Sequence, residues 1–307
     1  MTMNARLEGL DWIAADWGTT RLRVWAMGAD GRVLARAGSD RGMGQLDRTG
    51  YGPALLDLVG PWLGDRPDPV PVLVCGMAGA RSGWAEAAYR AVPCAPLDPA
   101  SATRPDGADP RLSVLILPGL SQSAPPDVMR GEETQLAGLI AARPGWNGVA
   151  CLPGTHSKWA RIEDGRVTAF RTFMTGELYA LLAGQSVLRL SVMDAEPDLP
   201  AFDTAAASGA GLADLFSVRA AGLLGDEPAA AAAGRLSGLL VGAEIAAAEA
   251  FRAGAPLALV GAPALTSLYA RALAAWDAGD PPLIFDGSEM ALAGLTAARA
   301  ALTKVPA

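Results

Sequence analysis

The chain contains one layout of strands and turns twice, and this repeat constrains the fold more than any other feature. Each copy consists of an apolar strand, a turn that starts with Gly-Thr, a second strand, an Asp-Gly turn and a third strand. The first copy covers residues 13–37, and the second covers residues 148–173. Asp-Gly between alternating runs predicts a hairpin, and small residues in a turn let backbone N–H groups reach an anionic oxygen. The repeat therefore predicts two similar halves, each with a hairpin that can hold phosphate.

The rest of the chain alternates strands with helices, which is typical of α/β proteins. Further strands are predicted at residues 70–75, 112–117, 257–260 and 283–285. Helices are predicted at residues 51–63, 129–142, 175–182, 205–224, 236–251, 263–275 and 288–302, the last with Ser288 as N-cap. We expect two domains, residues 1–143 and residues 144–307, with a final helix that can pack back on the first domain.

Composition disfavours several classes of protein. With 307 residues, of which 51% are hydrophobic and 19% charged, the chain predicts a compact globular protein of two domains. A net charge of −7 without a cluster of basic residues argues against a nucleic-acid surface. The apolar stretches fall short of the ~20 residues of a membrane helix and no signal peptide is visible, so we expect a cytoplasmic protein. One histidine and three separated cysteines disfavour a zinc site and a disulfide framework.

The two Gly-Thr turns and one acidic helix start are the remaining places for chemistry, because the chain has neither GxxxxGK[ST] nor GxSxG. Phosphoryl transfer needs a metal-bound polyphosphate, donors to its oxygens and a base for the acceptor hydroxyl. Asp16, at the end of the first strand, is the candidate magnesium ligand. The residues assigned to the phosphates are Gly18, Thr19, Thr20, Gly154, Thr155 and Ser157.

Each of these assignments has a structural alternative. The Gly-Thr turns can be ordinary hairpin turns, and Glu132 and Glu133 can serve only the dipole of the helix that they open. Lys158 is one of only two lysines in the chain, and it is either a phosphate contact or a solvated strand residue. His156, in the same turn, either donates to a phosphate or closes the turn.

Five motifs, in their order and spacing, resemble the 2-dehydro-3-deoxygalactonokinase family, which are sugar-acid kinases of the actin-like ATPase superfamily. The motifs are Asp-Trp-Gly-Thr-Thr at residues 16–20, Gly-Met-Ala-Gly at 76–79, Met-Arg-Gly-Glu-Glu-Thr-Gln at 129–135, Pro-Gly-Thr-His-Ser-Lys-Trp at 153–159 and Phe-Arg-Thr-Phe-Met-Thr-Gly-Glu-Leu at 170–178. The first motif is shared by many sugar kinases, whereas the third and fourth are much more specific. The resemblance extends from about residue 12 to residue 300.

The resemblance implies ATP-dependent, Mg²⁺-assisted phosphorylation of the 6-hydroxyl of 2-dehydro-3-deoxy-D-galactonate in galactonate catabolism. It also implies two ribonuclease-H-like domains with the nucleotide in a cleft between them. Related kinases carry a catalytic carboxylate in a Gly-Asp pair at a helix start, and Gly131-Glu132 holds that place here. The base is therefore Glu132 or Glu133, and Glu132 is favoured. The adenosine loop of the superfamily usually shows Gly-Gly, whereas this chain has Gly261-Ala262; Gly261, Gly242 and Glu244 are the candidate adenosine contacts.

The implied substrate carries a carboxylate and a 2-keto group, so its pocket should offer hydrogen-bond donors. The candidate contacts are Gly76, Gly79, Trp84 and Arg130, although Arg130 can instead form a structural salt bridge and Trp84 can belong to the core. We expect a small sugar acid as partner, no nucleic acid and no membrane, and a homodimer stays open. Two alternatives stay open as well: a kinase of the same fold for another sugar acid or sugar, and a non-catalytic actin-like ATP-binding protein.

Overall fold

The computed structural model describes residues 7–193, 195–276 and 280–304, which form two compact units. The first unit consists of the chain up to Trp146, residues Gly165–Thr168 and the chain from Ser288 onward. The second unit consists of Asn147–Asp164 and Ala169–Gly287. Each unit is built on one five-stranded sheet.

The secondary structure follows the predicted alternation. The strands are β1 (Leu10–Trp17), β2 (Leu22–Gly28), β3 (Val33–Ser39), β4 (Val70–Gly76), β5 (Tyr89–Ala91), β6 (Leu112–Ile116), β7 (Gly119–Ser123), β8 (Pro126–Met129), β9 (Gly148–Leu152), β10 (Ser157–Glu163), β11 (Arg166–Phe173), β12 (Leu257–Gly261) and β13 (Leu283–Asp286). The helices are α1 (Tyr51–Leu63), α2 (Glu132–Ala142), α3 (Thr175–Gln185), α4 (Arg189–Val192), α5 (Leu199–Ser208), α6 (Leu215–Leu224), α7 (Ala229–Arg252), α8 (Pro263–Ala275) and α9 (Gly287–Lys304). Each predicted strand is present.

Two helix predictions are wrong. The single helix predicted over residues 205–224 is two helices, α5 and α6, because Gly209 and Gly211 between them have φ values of 63° and 59°. A left-handed residue ends a helix, and glycine adopts that conformation without steric cost. Ser288 is not an N-cap, since α9 already begins at Gly287, directly after β13. The small sheet of β5, β7 and β8 is also absent from the sequence prediction.

The two five-stranded sheets have the same topology. The strand order is β3-β2-β1-β4-β6 in the first unit and β11-β10-β9-β12-β13 in the second. In both, the first strand of the repeat is antiparallel to the second strand and parallel to a later one, β4 or β12. The repeat in the sequence is therefore a repeat in the structure, and the Gly-Thr turns after β1 and β9 occupy equivalent places in their units.

Helices cover both faces of the first sheet. On one face, α1 contributes Tyr51 and Leu55 to the hydrophobic core. On the other face, Leu295 and Ala298 of α9 belong to one buried cluster with Trp12 of β1. The last helix of the chain thus completes the core of the unit that contains the N-terminal residues.

In the second unit, α7 approaches α5 along a row of glycines spaced four residues apart. A Cβ atom at Gly234, Gly238 or Gly242 would lie 2.2, 2.3 or 2.4 Å from a backbone carbonyl oxygen of α5 or its N-cap. Real Cβ atoms do not come this close to an oxygen, so only glycine permits the packing. Gly242, which the sequence suggested as an adenosine contact, therefore faces α5 instead.

The helix α7 is also the one described helix that is long and apolar enough to span a membrane, with 24 residues and a mean hydropathy of 1.3. Within its most apolar window, 67% is buried inside the protein. Such burial is the pattern of a core helix.

Candidate functional site

The Gly-Thr-Thr turn of the first unit is held from behind by a second glycine-rich loop. The N–H of Gly44 donates to the carbonyl of Thr19 at 2.9 Å, and the N–H of Gly42 donates to that of Thr20 at 3.2 Å. A Cβ on Gly42 would lie 2.3 Å from the Thr19 oxygen, so the two loops touch through their backbones. Both threonine side chains are exposed. The turn thus presents hydroxyl groups to solvent on a rigid support.

Asp16 lies just before this turn, at the end of β1, and is buried. Its Oδ1 accepts a hydrogen bond from the thiol of Cys75 at 3.7 Å, and its Oδ2 lies 3.7 Å from the guanidinium of Arg23. Burial raises the pKa of the Asp16 carboxyl, and the nearby Arg23 and Cys75 oppose this rise. A divalent cation would favour the ionised form that burial disfavours.

The residues present fit a magnesium ion held mostly by water and substrate rather than a protein cage. Among residues 7–193, 195–276 and 280–304 there is no group of three or more His, Cys, Asp or Glu side chains that could hold a metal. Mg²⁺ typically keeps several waters and takes one or two carboxylates together with phosphate oxygens. A single carboxylate such as Asp16 is compatible with that kind of site.

The acidic pair at the start of α2 lies in two different environments. Glu133 is 1% exposed; its Oε2 accepts the N–H of Gly131 at 2.6 Å, and its Oε1 accepts the hydroxyl of Thr134 at 3.1 Å. Burial, together with the charge of Glu132, raises the pKa of Glu133 to about 8. Glu132 is only partly buried, and its Oε2 accepts the N–H of Arg130 at 3.1 Å. At neutral pH, Glu133 is thus mainly a neutral, internally bonded group, whereas Glu132 retains access to solvent.

Three of the four candidate substrate contacts converge next to this helix start. Gly76 has a φ of 88°, and a Cβ on Gly131 would lie 3.3 Å from its Cα. A Cβ on Gly79 would lie 2.6 Å from Nη1 of Arg130. The end of β4 and the segment before α2 therefore meet through glycines, with the Arg130 side chain laid against Gly79.

Trp84, the fourth candidate, lies in the core instead. It is 3% exposed and stacks with Tyr51 at a centroid distance of 6.1 Å. Its indole N–H donates to the carbonyl of Asp106 at 2.9 Å, so its polar atom is already used. We therefore leave Trp84 out of the proposed site.

The Gly-Thr turn of the second unit is braced by the first residues of α3. A Cβ on Gly176 would lie 2.4 Å from the carbonyl oxygen of Gly154. The N–H of Glu177 donates to the carbonyl of Thr155 at 2.9 Å, and the Glu177 carboxylate lies 2.6 Å from Nε2 of His156. His156 thus closes the turn through an internal contact.

A buried carboxylate, Glu244 of α7, collects the polar side chains beneath this turn. It accepts the indole N–H of Trp159 and the hydroxyl of Tyr269, each at 2.7 Å, and Tyr269 lies 2.9 Å from the hydroxyl of Ser157. Burial raises the pKa of Glu244, and hydrogen bonds from Thr175, Tyr269, Trp159 and Ser157 oppose the rise. Ser157 is fully buried, so its hydroxyl supports the turn from inside.

Lys158 lies between Ser157 and Trp159 in the chain, but its side chain is on the other face of the sheet. Ser157 and Trp159 face α7, and successive side chains of a strand alternate between the faces of the sheet. Lys158 therefore lies on the opposite face of β10, where it is largely buried.

A cavity of about 360 Å³ opens beside the turn, wholly within the second unit. Its walls are mostly apolar, and its lining residues are Gly154, Thr175, Gly176, Tyr179, Ala195, Glu196, Pro197, Ser237, Leu240, Val241, Leu265, Leu268 and Tyr269. Gly261 does not line the cavity. It lies at the end of β12, just before α8, and α8 contributes Leu265, Leu268 and Tyr269 to the cavity wall. A volume of this size with a few polar groups suits a small-molecule ligand.

Comparison with known proteins identifies the family. A family model described as 2-keto-3-deoxy-galactonokinase matches residues 16–298. The chain belongs to this family. A relative from Rhizobium meliloti (strain 1021), named a probable 2-dehydro-3-deoxygalactonokinase, is 41% identical over 308 residues, which cover 94% of this chain and 96% of the relative. The 2-dehydro-3-deoxygalactonokinase of Escherichia coli (strain K12) is 35% identical over 271 residues, which cover 86% of this chain and 89% of the relative.

Solved structures agree with this membership of the 2-keto-3-deoxy-galactonokinase family. A crystal structure of a protein from Sinorhizobium meliloti, named as a 2-dehydro-3-deoxygalactonokinase, matches with a TM-score of 0.86 and 40% identity. The match covers 96% of this chain and 100% of that chain. The activator of 2-hydroxyisocaproyl-CoA dehydratase from Clostridium difficile, solved with bound ADPNP, matches with a TM-score of 0.50 and 13% identity over 96% and 98% of the two chains. At that identity the match concerns the fold alone. The predicted fold class, α/β with two ribonuclease-H-like domains, is confirmed.

In this member of the 2-keto-3-deoxy-galactonokinase family, sequence reasoning missed some contributors to the site. Tyr269 has no short-range signal, because its partner Glu244 lies 25 residues earlier in the chain. Gly176 did have a signal, since it lies in the motif of residues 170–178, but nothing local indicated that it touches Gly154.

Proposed function

We propose that this protein transfers the terminal phosphoryl group of ATP to the 6-hydroxyl of 2-dehydro-3-deoxy-D-galactonate, giving 2-dehydro-3-deoxy-6-phospho-D-galactonate. The observation that carries this proposal is the alignment with a relative named for this kinase over 94% of the chain. The Asp16 carboxylate beside an exposed threonine turn, and the Glu132 carboxylate at a helix start of the same unit, support it chemically.

For the nucleotide, we assign adenosine to the 360 Å³ cavity of the second unit. The cavity is apolar along Leu240, Val241 and Leu268, which suits the planar, largely apolar adenine ring. It also reaches Gly154 and Gly176 at the Gly-Thr turn. Backbone N–H groups of such turns are suited to phosphate oxygens. Gly154 and Thr155 are therefore the proposed phosphate contacts of this unit, with Ser157 and Gly261 in supporting positions. Lys158 lies on the other face of β10 and does not line the cavity, so its phosphate contact stays a prediction from the sequence.

In the first unit, Thr19 and Thr20 are the proposed donors to phosphate oxygens. The N–H of Gly18 already donates to the carbonyl of Arg21 at 2.8 Å, so Gly18 shapes the turn that presents them. Asp16 would hold Mg²⁺, whose contribution when bound is to neutralise negative charge on the phosphates. Gly76, Gly79 and Arg130 are the proposed substrate contacts, next to Glu132.

Glu132 is the proposed general base. Its carboxylate would take the proton of the 6-hydroxyl as the bond from that oxygen to phosphorus forms and the bond to the leaving ADP breaks. Glu133 is poorly suited to the task, because its carboxyl is buried, internally bonded and mainly protonated at neutral pH.

A coupled assay of ADP release by the full chain tests the reaction. We expect turnover with 2-dehydro-3-deoxy-D-galactonate, identification of the 6-phosphate as product, and loss of turnover when EDTA removes Mg²⁺. The assay is repeated with a panel of other sugar acids and neutral hexoses. Turnover of neutral hexoses alone would overturn the proposal, and faster turnover of another sugar acid would identify that acid as the substrate.

The adjacent glutamates provide a matched pair for the base. Glu132→Gln should lower kcat by about 10²–10⁴-fold, because it removes the proton acceptor. Glu133→Gln should retain most of the activity at pH 7, because glutamine resembles the neutral carboxyl that is already there. A reversed result would move the base to Glu133 and leave the kinase assignment intact.

A further inference from the structure

Arg130 of the first unit carries a buried positive charge whose hydrogen bonds are incomplete. The residue is 8% exposed, and its Nη2 donates to the carbonyl of Ala87 at 2.7 Å. Its Nε and Nη1 are both out of contact with solvent and have no hydrogen-bond partner. Leaving buried N–H groups of a cation unpaired costs considerable stability, so these nitrogens call for a partner such as a ligand, an ion or an ordered water.

The charge of this guanidinium is not balanced by an ion pair either. Arg130 forms no ion pair with any carboxylate among the residues that the structure describes. The nearest acidic residues in sequence do not bond its nitrogens: Oε2 of Glu132 accepts the backbone N–H of Arg130. The Arg130 charge acts on Glu133 from a distance, where it opposes the rise in pKa that burial causes. The structural salt bridge that the sequence left open for Arg130 is therefore absent from the described residues.

The surroundings of the side chain are shaped to hold it in place without satisfying its nitrogens. Gly79 gives room on one side, since a Cβ there would lie 2.6 Å from Nη1. The ring of Tyr89 lies over the guanidinium, with its centroid 4.3 Å from Cζ. A cation–π contact stabilises the charge but accepts no N–H hydrogen bond in the plane of the guanidinium. Tyr89 is 42% exposed, so the cover over Arg130 is a side chain that faces solvent.

We infer that Arg130 is the receptor for the carboxylate of the substrate and that it sets the preference for a sugar acid over a neutral sugar. The inference rests on the proposed function, and it specifies which group of the substrate is recognised and by which residue. The carboxylate reaches the unpaired nitrogens when the exposed Tyr89 ring moves aside, and it supplies both the missing acceptors and the missing negative charge. Charge-assisted bonds of this kind are among the strongest that a polar site can offer. Glu132, the proposed base for the 6-hydroxyl at the other end of the substrate, lies two residues further along the chain.

The experiment compares an acid with its neutral counterpart. For the full chain, KM and kcat are measured with 2-dehydro-3-deoxy-D-galactonate and with its primary amide, which lacks the negative charge. In Arg130→Met, we expect KM for the acid to rise about 100-fold, because the charge-assisted bonds are lost. The KM for the amide should rise by a much smaller factor, because its oxygen can accept an N–H of Arg130 but brings no negative charge. The KM for ATP should change less than about threefold, since ATP does not contact Arg130 in this proposal.

Arg81→Met is the matched control, because Arg81 lies two residues beyond Gly79 and its side chain is 90% exposed. It should leave all three KM values at those of the wild type. Gly79→Ala is an independent variant that keeps the charge but places a methyl group against Nη1, and it should raise KM for the acid by a larger factor than KM for the amide.

A purely structural Arg130 gives a different pattern. Equal losses of activity on the acid and on the amide, or an unchanged KM for the acid in Arg130→Met, would overturn the inference. Thermal unfolding checks that the variant is folded; if it is not, Arg130→Lys decides, because it keeps the charge without the guanidinium and should give an intermediate KM for the acid alone. A wild-type protein that phosphorylates no sugar acid would instead refute the proposed function, so the two failures are distinct.

Discussion

Glu132 and Glu133 are neighbours in the chain, yet their carboxyl groups lie in different environments. Glu132 is partly exposed and accepts the backbone N–H of Arg130, whereas Glu133 is almost fully buried and accepts hydrogen bonds from Gly131 and Thr134. The helix turn separates neighbouring side chains by about 100° and so directs them to different surroundings. The chemical role of each carboxylate therefore depends on the direction in which its side chain points.

The buried carboxyl of Glu133 predicts a pH dependence of stability. Because its pKa rises from 4.5 when unfolded to about 8 when folded, the folded chain keeps a proton that the unfolded chain loses over this range. Stability should therefore fall as the pH rises from 4.5 to about 8, at up to about 1.4 kcal/mol per pH unit from this group. Denaturant unfolding at pH 5, 6, 7 and 8 measures the fall, and Glu133→Gln should make it shallower.

Glu86→Gln is the control for this pH series. Glu86 has an exposed side chain that pairs with Arg81, and its substitution should leave the wild-type slope unchanged. If the slope of Glu133→Gln also equals that of the wild type, Glu133 is ionised in the folded protein.

At the scale of elements, the row of glycines on α7 determines how close α5 can approach. Gly238 faces the carbonyl of Phe202, from which a Cβ would be only 2.3 Å away. We expect Gly238→Ala to lower the free energy of unfolding by about 1–3 kcal/mol, because the helices must separate to admit the methyl group. Denaturant unfolding at constant pH measures the effect.

Gly184→Ala in α3 is the matched substitution, because a Cβ there meets nothing within 4 Å. It should stabilise the protein by about 0.5–1 kcal/mol, as alanine loses less backbone entropy than glycine in a helix. Equal effects of the two variants would contradict the close packing of α7 on α5.

At the scale of the whole molecule, the first unit needs both ends of the chain. Leu295 of α9 is fully buried in the cluster that contains Trp12 of β1. Leu295→Ala should therefore lower the free energy of unfolding by about 2–5 kcal/mol, through lost burial and the cavity left behind. The same substitution at Leu224, which is 90% exposed, should change it by less than about 0.5 kcal/mol. If the two variants have equal melting transitions, α9 does not contribute to this core.

The sequence by itself determined the features that act over short range. The Gly-Thr and Asp-Gly turns, the alternating strands around them and the order of the motifs were sufficient for the duplicated sheets and the family. Asp16 and Glu132 followed from the same motifs, because a turn or a helix start depends on only a few consecutive residues. Helix ends were less certain, as α5 and α6 show, since glycine can lie inside a helix or end it.

The tertiary structure alone decided which of these residues are exposed and which face the interior. Trp159 and Glu244 are 85 residues apart in sequence and 2.7 Å apart in space, so no local pattern predicts that Ser157 beneath them is buried. The same holds for Gly242 against α5 and for the incomplete hydrogen bonds of Arg130. Burial and pairing depend on contacts between segments distant in the chain, and these exist only once the chain is folded.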